Sequence, residues 1–204
     1  KIFFFLKRIL VNDMIRIGIN GFGRIGRLVL RALLENYKDK IQIVAINDLG
    51  SIEANAHLVK YDTTHGTLPY DVETSEDGFK ILNQNIKVFA ERDPSNLPWG
   101  KVGADVVLEC TGLFLDKVSA GKHIKSGAKK VIISAPAKEV DFTLVQGVNS
   151  SELKKEHNVI SNGSCTTNCL APVAMVLEKN FGIEYGYMTT IHSYTGDQKL
   201  LDTF

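Results

Sequence analysis

A chain of 204 residues, 44% hydrophobic and 23% charged, has the make-up of an ordinary globular protein of one or two domains with a sizeable core. Its 24 basic and 23 acidic side chains leave a formal charge of +1, which excludes a strong field drawing the chain to nucleic acid or to an anionic membrane. Three cysteines, Cys110, Cys165 and Cys169, are an odd and small set for a disulfide-stapled secreted domain and fit a reducing compartment, so a cytoplasmic location is expected.

In residues 1–13 the apolar run from Ile2 to Leu6 is broken by Lys7 and Arg8. It falls far short of the roughly 18 residues that cross a bilayer, and no small-residue cleavage site follows it. This segment reads as a disordered upstream extension ahead of a natural start at Met14. From there, short β-branched runs alternate with helical patterns, the sequence form of a parallel βαβ sheet. Residues 15–20 form the first predicted strand. Ile25, Leu28, Val29, Ala32 and Leu33 then recur at helical spacing and predict one sheet-facing stripe. Further strands are expected at 41–46, 86–89 (edge-like), 105–109, 130–134, 142–145 and 158–161, with helices around 116–126 and 152–157. The polar stretch 70–84 predicts a hairpin or loop insertion, and 93–100 a loop. Past Ser164 a helix rich in Ala, Val, Leu and Met runs to about Phe181, and 185–194 reads as a long strand. Pro172 lies inside that helix, so the helix either kinks or regularises only after Asn168. The fold class is α/β, a doubly wound parallel sheet over 14–164 followed by the start of a second domain over 165–204.

Gly21-Phe22-Gly23-Arg24-Ile25-Gly26 is a G-x-G-x-x-G string that follows a strand and opens a helix, and Asp48 lies 22 residues beyond Gly26. In a Rossmann-type dinucleotide site Gly21 permits the turn, Gly23 lets backbone approach a pyrophosphate, and Gly26 lets helix and strand pack closely. The helix amino terminus offers free N–H groups. Asp48 would accept from ribose hydroxyls and repel a 2′-phosphate, favouring NAD over NADP. A glycine-rich turn without a ligand is the plain alternative, and Arg24 and Arg27 can equally be a solvated helix flank.

The string from Ser161 to Cys169 sits where a strand gives way to a helix, which places Cys165 at a helix amino terminus that stabilises a thiolate. His192 is expected on the following strand, where an imidazole reaching Cys165 would hold an ion pair and move protons. Spacing alone leaves this open. Cys169, four residues on, lacks the further ligands a zinc site needs, so no metal is expected and buried packing is its expected role. Cys110 reads as a core residue, and His57, His65, His123 and His157 have no partner that sequence can name.

The strings from Ile17 to Arg27, from Ser164 to Pro172 and from Thr190 to Gln198 resemble glyceraldehyde-3-phosphate dehydrogenases, and the resemblance covers Met14 to Phe204. It implies an NAD-dependent, phosphorylating oxidation of glyceraldehyde 3-phosphate to 1,3-bisphosphoglycerate, a glycolytic step, with Cys165 as nucleophile and His192 as base. It further implies cofactor contacts from Gly21, Gly23, Arg24, Ile25 and Gly26, from Asp48, from Arg92 near the adenine, from Thr111 and Gly112 along the cleft, and from Ser134. Ser164, Thr166 and Thr195 match positions that bind substrate or inorganic phosphate. A homotetramer is implied, without membrane or primary nucleic-acid partners. Family members run well past Phe204, so the chain is expected to be an amino-terminal piece that stops within an α+β catalytic domain. An erythrose-4-phosphate dehydrogenase sibling is disfavoured by Ser193-Tyr194-Thr195. An NAD-binding fragment without turnover is the reading from another class.

Overall fold

A computed structural model describes residues 14–195; the expectation for residues 1–13 and the end of the third string, 196–198, lie outside them. Strand β1 (Ile15–Asn20) is central. On one side it pairs in parallel with β2 (Ile41–Asn47), which carries β7 (Gln84–Phe89). On the other side follow β8 (Val106–Glu109), β9 (Lys130–Ile133), β11 (Val159–Ser161) and β10 (Phe142–Thr143), also parallel. The antiparallel hairpin β5 (Val72–Ser75) and β6 (Gly78–Ile81) extends the sheet beyond β7 to nine strands. A separate short ladder joins β3 (Tyr61–Asp62) to β4 (Gly66–Thr67). The doubly wound expectation holds, and the polar stretch after Tyr70 is the expected hairpin. Residues 86–89, however, are not an edge: that hairpin completes the ladder on the far side of β7.

Central strands of such a sheet are apolar on both faces because both are covered. Ile15, Ile17 and Ile19 of β1 lie in one core with Leu30, Leu33 and Leu34 of helix α1 (Arg24–Tyr37). The opposite face packs Trp99, Val107, Ala120, Val131 and Ile133. Gly18 belongs to that second face: a Cβ there would sit 2.6 Å from the Trp99 ring, so the indole takes the room that a side chain on β1 would need. The buried stripe of α1 is Gly26, Leu30, Arg31, Leu33 and Leu34 rather than one starting at Ile25, which is half exposed. Gly26 sets this rotation, since a Cβ on it would lie 2.2 Å from the Gly21 carbonyl oxygen.

Helix α2 (Ile52–Lys60), which periodicity did not predict, starts at Ser51, whose hydroxyl accepts from the Ala54 amide at 3.2 Å. The expected loop at 93–100 carries a 3₁₀ turn (Pro94–Asn96) and the start of α3 (Trp99–Val102). The single helix expected at 116–126 is two turns, α4 (Lys117–Ala120) and α5 (Lys122–Lys125), separated at Gly121. No helix spans 152–157; a 3₁₀ turn covers Ser150–Glu152 instead. The Lys130 ammonium donates to the carbonyls of Lys155 and His157 and to Asn158 Oδ1, which ties this segment to the start of β9.

Helix α6 (Cys165–Phe181) is unbroken through Pro172, and its first turn is regular, the Asn168 amide bonding the Ser164 carbonyl at 3.0 Å. None of its residues is buried, and Leu170, Val173, Val176, Leu177 and Phe181 all face outward. The strand expected at 185–194 does not form. Its apolar alternation is present, but a strand exists only through a ladder, and among the described residues no segment pairs with it.

Candidate active site

The strand order reverses at β1, because β2 and β8 flank it, and the carboxyl ends of these strands open a cleft of about 470 Å³ lined by Gly21, Gly23, Asp48, Arg92 and Thr111 among others. This is where doubly wound sheets bind ligands. Gly21 has φ of 85°, and a Cβ on it would come within 2.7 Å of the Thr111 amide nitrogen. At Gly23 a Cβ would meet nothing within 4 Å, so open space lies over the loop. Gly23 is also the N-cap of α1 and supplies no side-chain acceptor, which leaves the first-turn amides available to an anion. Asp48 is tied into this wall: its carboxylate accepts from the amides of Phe22 and Gly50, each at 2.9 Å, and its remaining lone pairs suit ribose hydroxyls. Cradle, helix end and carboxylate together fit a dinucleotide.

The other sequence candidates divide. Gly112, with φ of 73°, lies between the cleft-lining Thr111 and Leu113. Ser134 donates its amide to the Glu109 carbonyl and its hydroxyl bonds the thiol of Cys110, a lining residue. Gly26 supports the loop from behind. Arg24 instead pairs with Asp62 at 3.1 Å, and neither it nor Ile25 lines the cleft. Sequence reasoning passed over Asn20, Asn47, Glu91 and Phe114, which line the same cleft, and the buried Glu109 and His123 beneath it. The signal available was that β1 and β2 both end in asparagine, polar residues where the apolar runs stop.

Cys165 opens α6. Ser164 caps the helix, accepting from the Thr167 amide at 2.9 Å, and the Asn168 amide side chain donates to the carbonyls of Asn162 and Ser164. The helix end is thereby lashed to the strand that precedes it. Cys165 Sγ lies 3.1 Å from His192 Nε2. His192 Nδ1 donates to the Ser193 carbonyl oxygen, so Nε2 is the ring atom turned to sulfur to exchange a proton. The His192 hydrogen bond is the largest cause holding the Cys165 thiol below its ordinary pKa; desolvation opposes it, and the Thr166 amide, the His192 charge and the Thr166 hydroxyl add to the lowering. His192 is therefore brought to the thiol by an irregular segment, not by the strand expected of it.

Cys165, Thr166, Cys169, Met188 and His192 line a pocket of about 460 Å³. Cys169 is exposed there rather than buried, because α6 carries no cover among the described residues. Ser164 has its hydroxyl engaged with Thr167, and neither it nor Thr195 lines the pocket. Burial pushes the Cys110 thiol up to about 12 despite the Ser134 hydrogen bond, although the residue is half-buried in the cleft wall against the core rather than wholly within it.

Residues 15–117 match the family model described as glyceraldehyde 3-phosphate dehydrogenase, NAD binding domain, and residues 164–204 match the C-terminal domain model of the same family. The glyceraldehyde-3-phosphate dehydrogenase of Pseudomonas aeruginosa is 54% identical over 191 residues, which are 93% of this chain and 57% of that protein. That of Streptomyces coelicolor is 57% identical over 189 residues, 92% of this chain and 56% of the relative. Glyceraldehyde-3-phosphate dehydrogenase 1 of Bacillus cereus is 55% identical over 190 residues, 93% and 56%. The chain thus spans somewhat over half the length of the curated relatives it matches. NAD is the cofactor of the matched amino-terminal domain. The chain, in both of its matched parts, belongs to the glyceraldehyde-3-phosphate dehydrogenase family.

Proposed function

We propose that this chain is the amino-terminal part of an enzyme that oxidises glyceraldehyde 3-phosphate with NAD and inorganic phosphate to 1,3-bisphosphoglycerate, a glycolytic reaction. Residues 14–164 form the nucleotide domain and 165–204 begin the catalytic domain. The whole enzyme is a cytoplasmic homotetramer on this reading. The observation that carries it is the Cys165 thiol at a helix amino terminus, 3.1 Å from His192 Nε2.

In this reaction bound NAD supplies the hydride acceptor. The Cys165 thiolate adds to the aldehyde carbon, a C–S bond forms, and the carbonyl oxygen takes a proton from the imidazolium of His192 to give a hemithioacetal. His192 Nε2 then accepts that hydroxyl proton as the carbon gives up hydride, leaving a thioester on Cys165. A phosphate oxygen attacks the thioester carbon, the C–S bond breaks, and sulfur departs as the thiolate that began the cycle. The amides of the first turn of α6 and the hydroxyls of Ser164, Thr166 and Thr195 are the donors we assign to the phosphate groups. Gly21, Gly23 and Asp48 hold the dinucleotide, with Arg92, Thr111, Gly112 and Ser134 along its length.

The test follows NADH absorbance with the complete gene product. With aldehyde and phosphate, steady turnover is expected; without phosphate, a burst of about one NADH per Cys165 should appear and then stop, because the thioester has no acceptor. Sustained turnover without phosphate would replace phosphorylation by hydrolysis. Silence on this aldehyde with activity on another would overturn the substrate while leaving the thiol chemistry.

A further inference from the structure

Beneath the nucleotide cleft lies a polar cluster that the proposed chemistry does not use. The Glu109 carboxylate, 1% exposed, accepts four hydrogen bonds: from the amide and hydroxyl of Thr111 at Oε1, and from Asn20 Nδ2 and His123 Nε2 at Oε2. The Oε2 bonds measure 2.6 Å to Asn20 and 2.9 Å to His123. The tautomer of His123 is fixed from its other side. Trp99 Nε1 can only donate, and it lies 2.9 Å from His123 Nδ1, so Nδ1 accepts and Nε2 carries the proton that meets Glu109. Asn20 in turn accepts from Asn47 Nδ2 at 2.7 Å, and Asn47 exchanges hydrogen bonds with the backbone of Glu91. The chain of bonds ties together the carboxyl ends of β8, β1, β2 and β7, the four strands whose ends build the cleft.

We infer that Glu109 is a positioning residue of the NAD cleft, setting the separation between the end of β1 that feeds the glycine loop and the Thr111–Leu113 wall opposite. This rests on the NAD reading of the cleft. Glu109 does not line the cleft, so it acts through Asn20 and Thr111. Its hold depends on being acceptor-only. An amide in its place must aim two N–H bonds either at the Thr111 amide or at Asn20 and His123. The imidazole cannot switch tautomer to receive them without setting its Nδ1–H against the Trp99 N–H. One wall must then move. Thr111 is held twice, its hydroxyl donating to Glu109 and accepting from the Leu113 amide at 3.0 Å, so removing that hydroxyl loosens the same wall by a second route.

The test is calorimetric titration of the complete protein with NAD and with adenosine monophosphate, alongside thermal melting, for Glu109→Gln and Thr111→Val. For Glu109→Gln a rise in Kd for NAD of tenfold or more is expected, and for Thr111→Val a rise of threefold or more. Adenosine monophosphate should bind within twofold of the parent, because Asp48 is held by Phe22 and Gly50 and not by Glu109. Unchanged NAD affinity in folded variants, even with a lower Tm, would make the cluster a stability element and overturn the proposal. Equal loss for both ligands would mean general loosening and overturn it too. Should Glu109→Gln fail to fold, Glu109→Asp, which keeps an acceptor-only carboxylate one carbon short of its donors, decides by the same comparison of the two ligands, because Thr111 itself lines the cleft. A parent protein that binds no NAD would sink the cofactor reading itself, an outcome separate from any difference between variants.

Discussion

Cys165→Ser is expected to lower NADH formation from glyceraldehyde 3-phosphate by at least about 10³-fold and to erase the burst expected without phosphate. Serine keeps the shape and the helix position. Its hydroxyl, however, ionises far less readily than a thiol, and its ester is a poorer acyl donor than a thioester. Affinity for NAD should stay near the parent value, since the cleft is built from the ends of β1, β2, β7 and β8. Steady-state and burst kinetics with a parallel NAD titration check both halves. Activity that survives in Cys165→Ser but disappears in Cys169→Ser would move the nucleophile one helical turn along, to the other thiol lining the same pocket.

Replacing His192 by asparagine should reduce kcat by about 10²- to 10⁴-fold, the range for losing a positioned acid–base group. It should also change the thiol in the absence of substrate. The hydrogen bond from His192 is the largest cause holding the Cys165 thiol below its ordinary value, and the charged form of a thiol is the reactive one. Without the imidazole the thiolate fraction at neutral pH falls. The rate of alkylation by iodoacetamide, followed against pH, should therefore rise at a higher pH than in the parent, toward the value of about 8.5 of a free cysteine. A profile that does not move would assign the lowered value to Thr166 and the helix end instead.

The parts of the fold legible in sequence were those set by local chemistry. The glycine string announced its turn because Gly21 needs a positive φ and Gly26 a bare Cα against the Gly21 carbonyl. The thiol announced its place because Ser164 is a good cap and the strand before it is short and apolar. What escaped was set by distant partners. Glu109 meets Asn20 across 89 positions, and the asparagine of β2 meets that of β1 across 27, separations that no periodicity encodes. His123 read as a histidine without a partner because its partners arrive from other elements, Trp99 from α3 and Glu109 from β8 among them. The segment 185–194 misled for the opposite reason: its pattern was clear, but a pattern of alternation becomes a strand only beside a neighbour. The exposure of Cys169 has the same origin, since a helix buries a face only where something lies against it.

The three cysteines finally give the molecule a built-in gauge. Cys165 and Cys169 face solvent, while Cys110 sits at the end of β8 with its thiol raised to about 12 and bonded to Ser134. A colorimetric thiol reagent at neutral pH thus counts two sulfhydryls first on a folded molecule. The third, half-buried in the wall of the nucleotide cleft, joins the count more slowly, so the lag between the two readings follows access to that cleft without any added label.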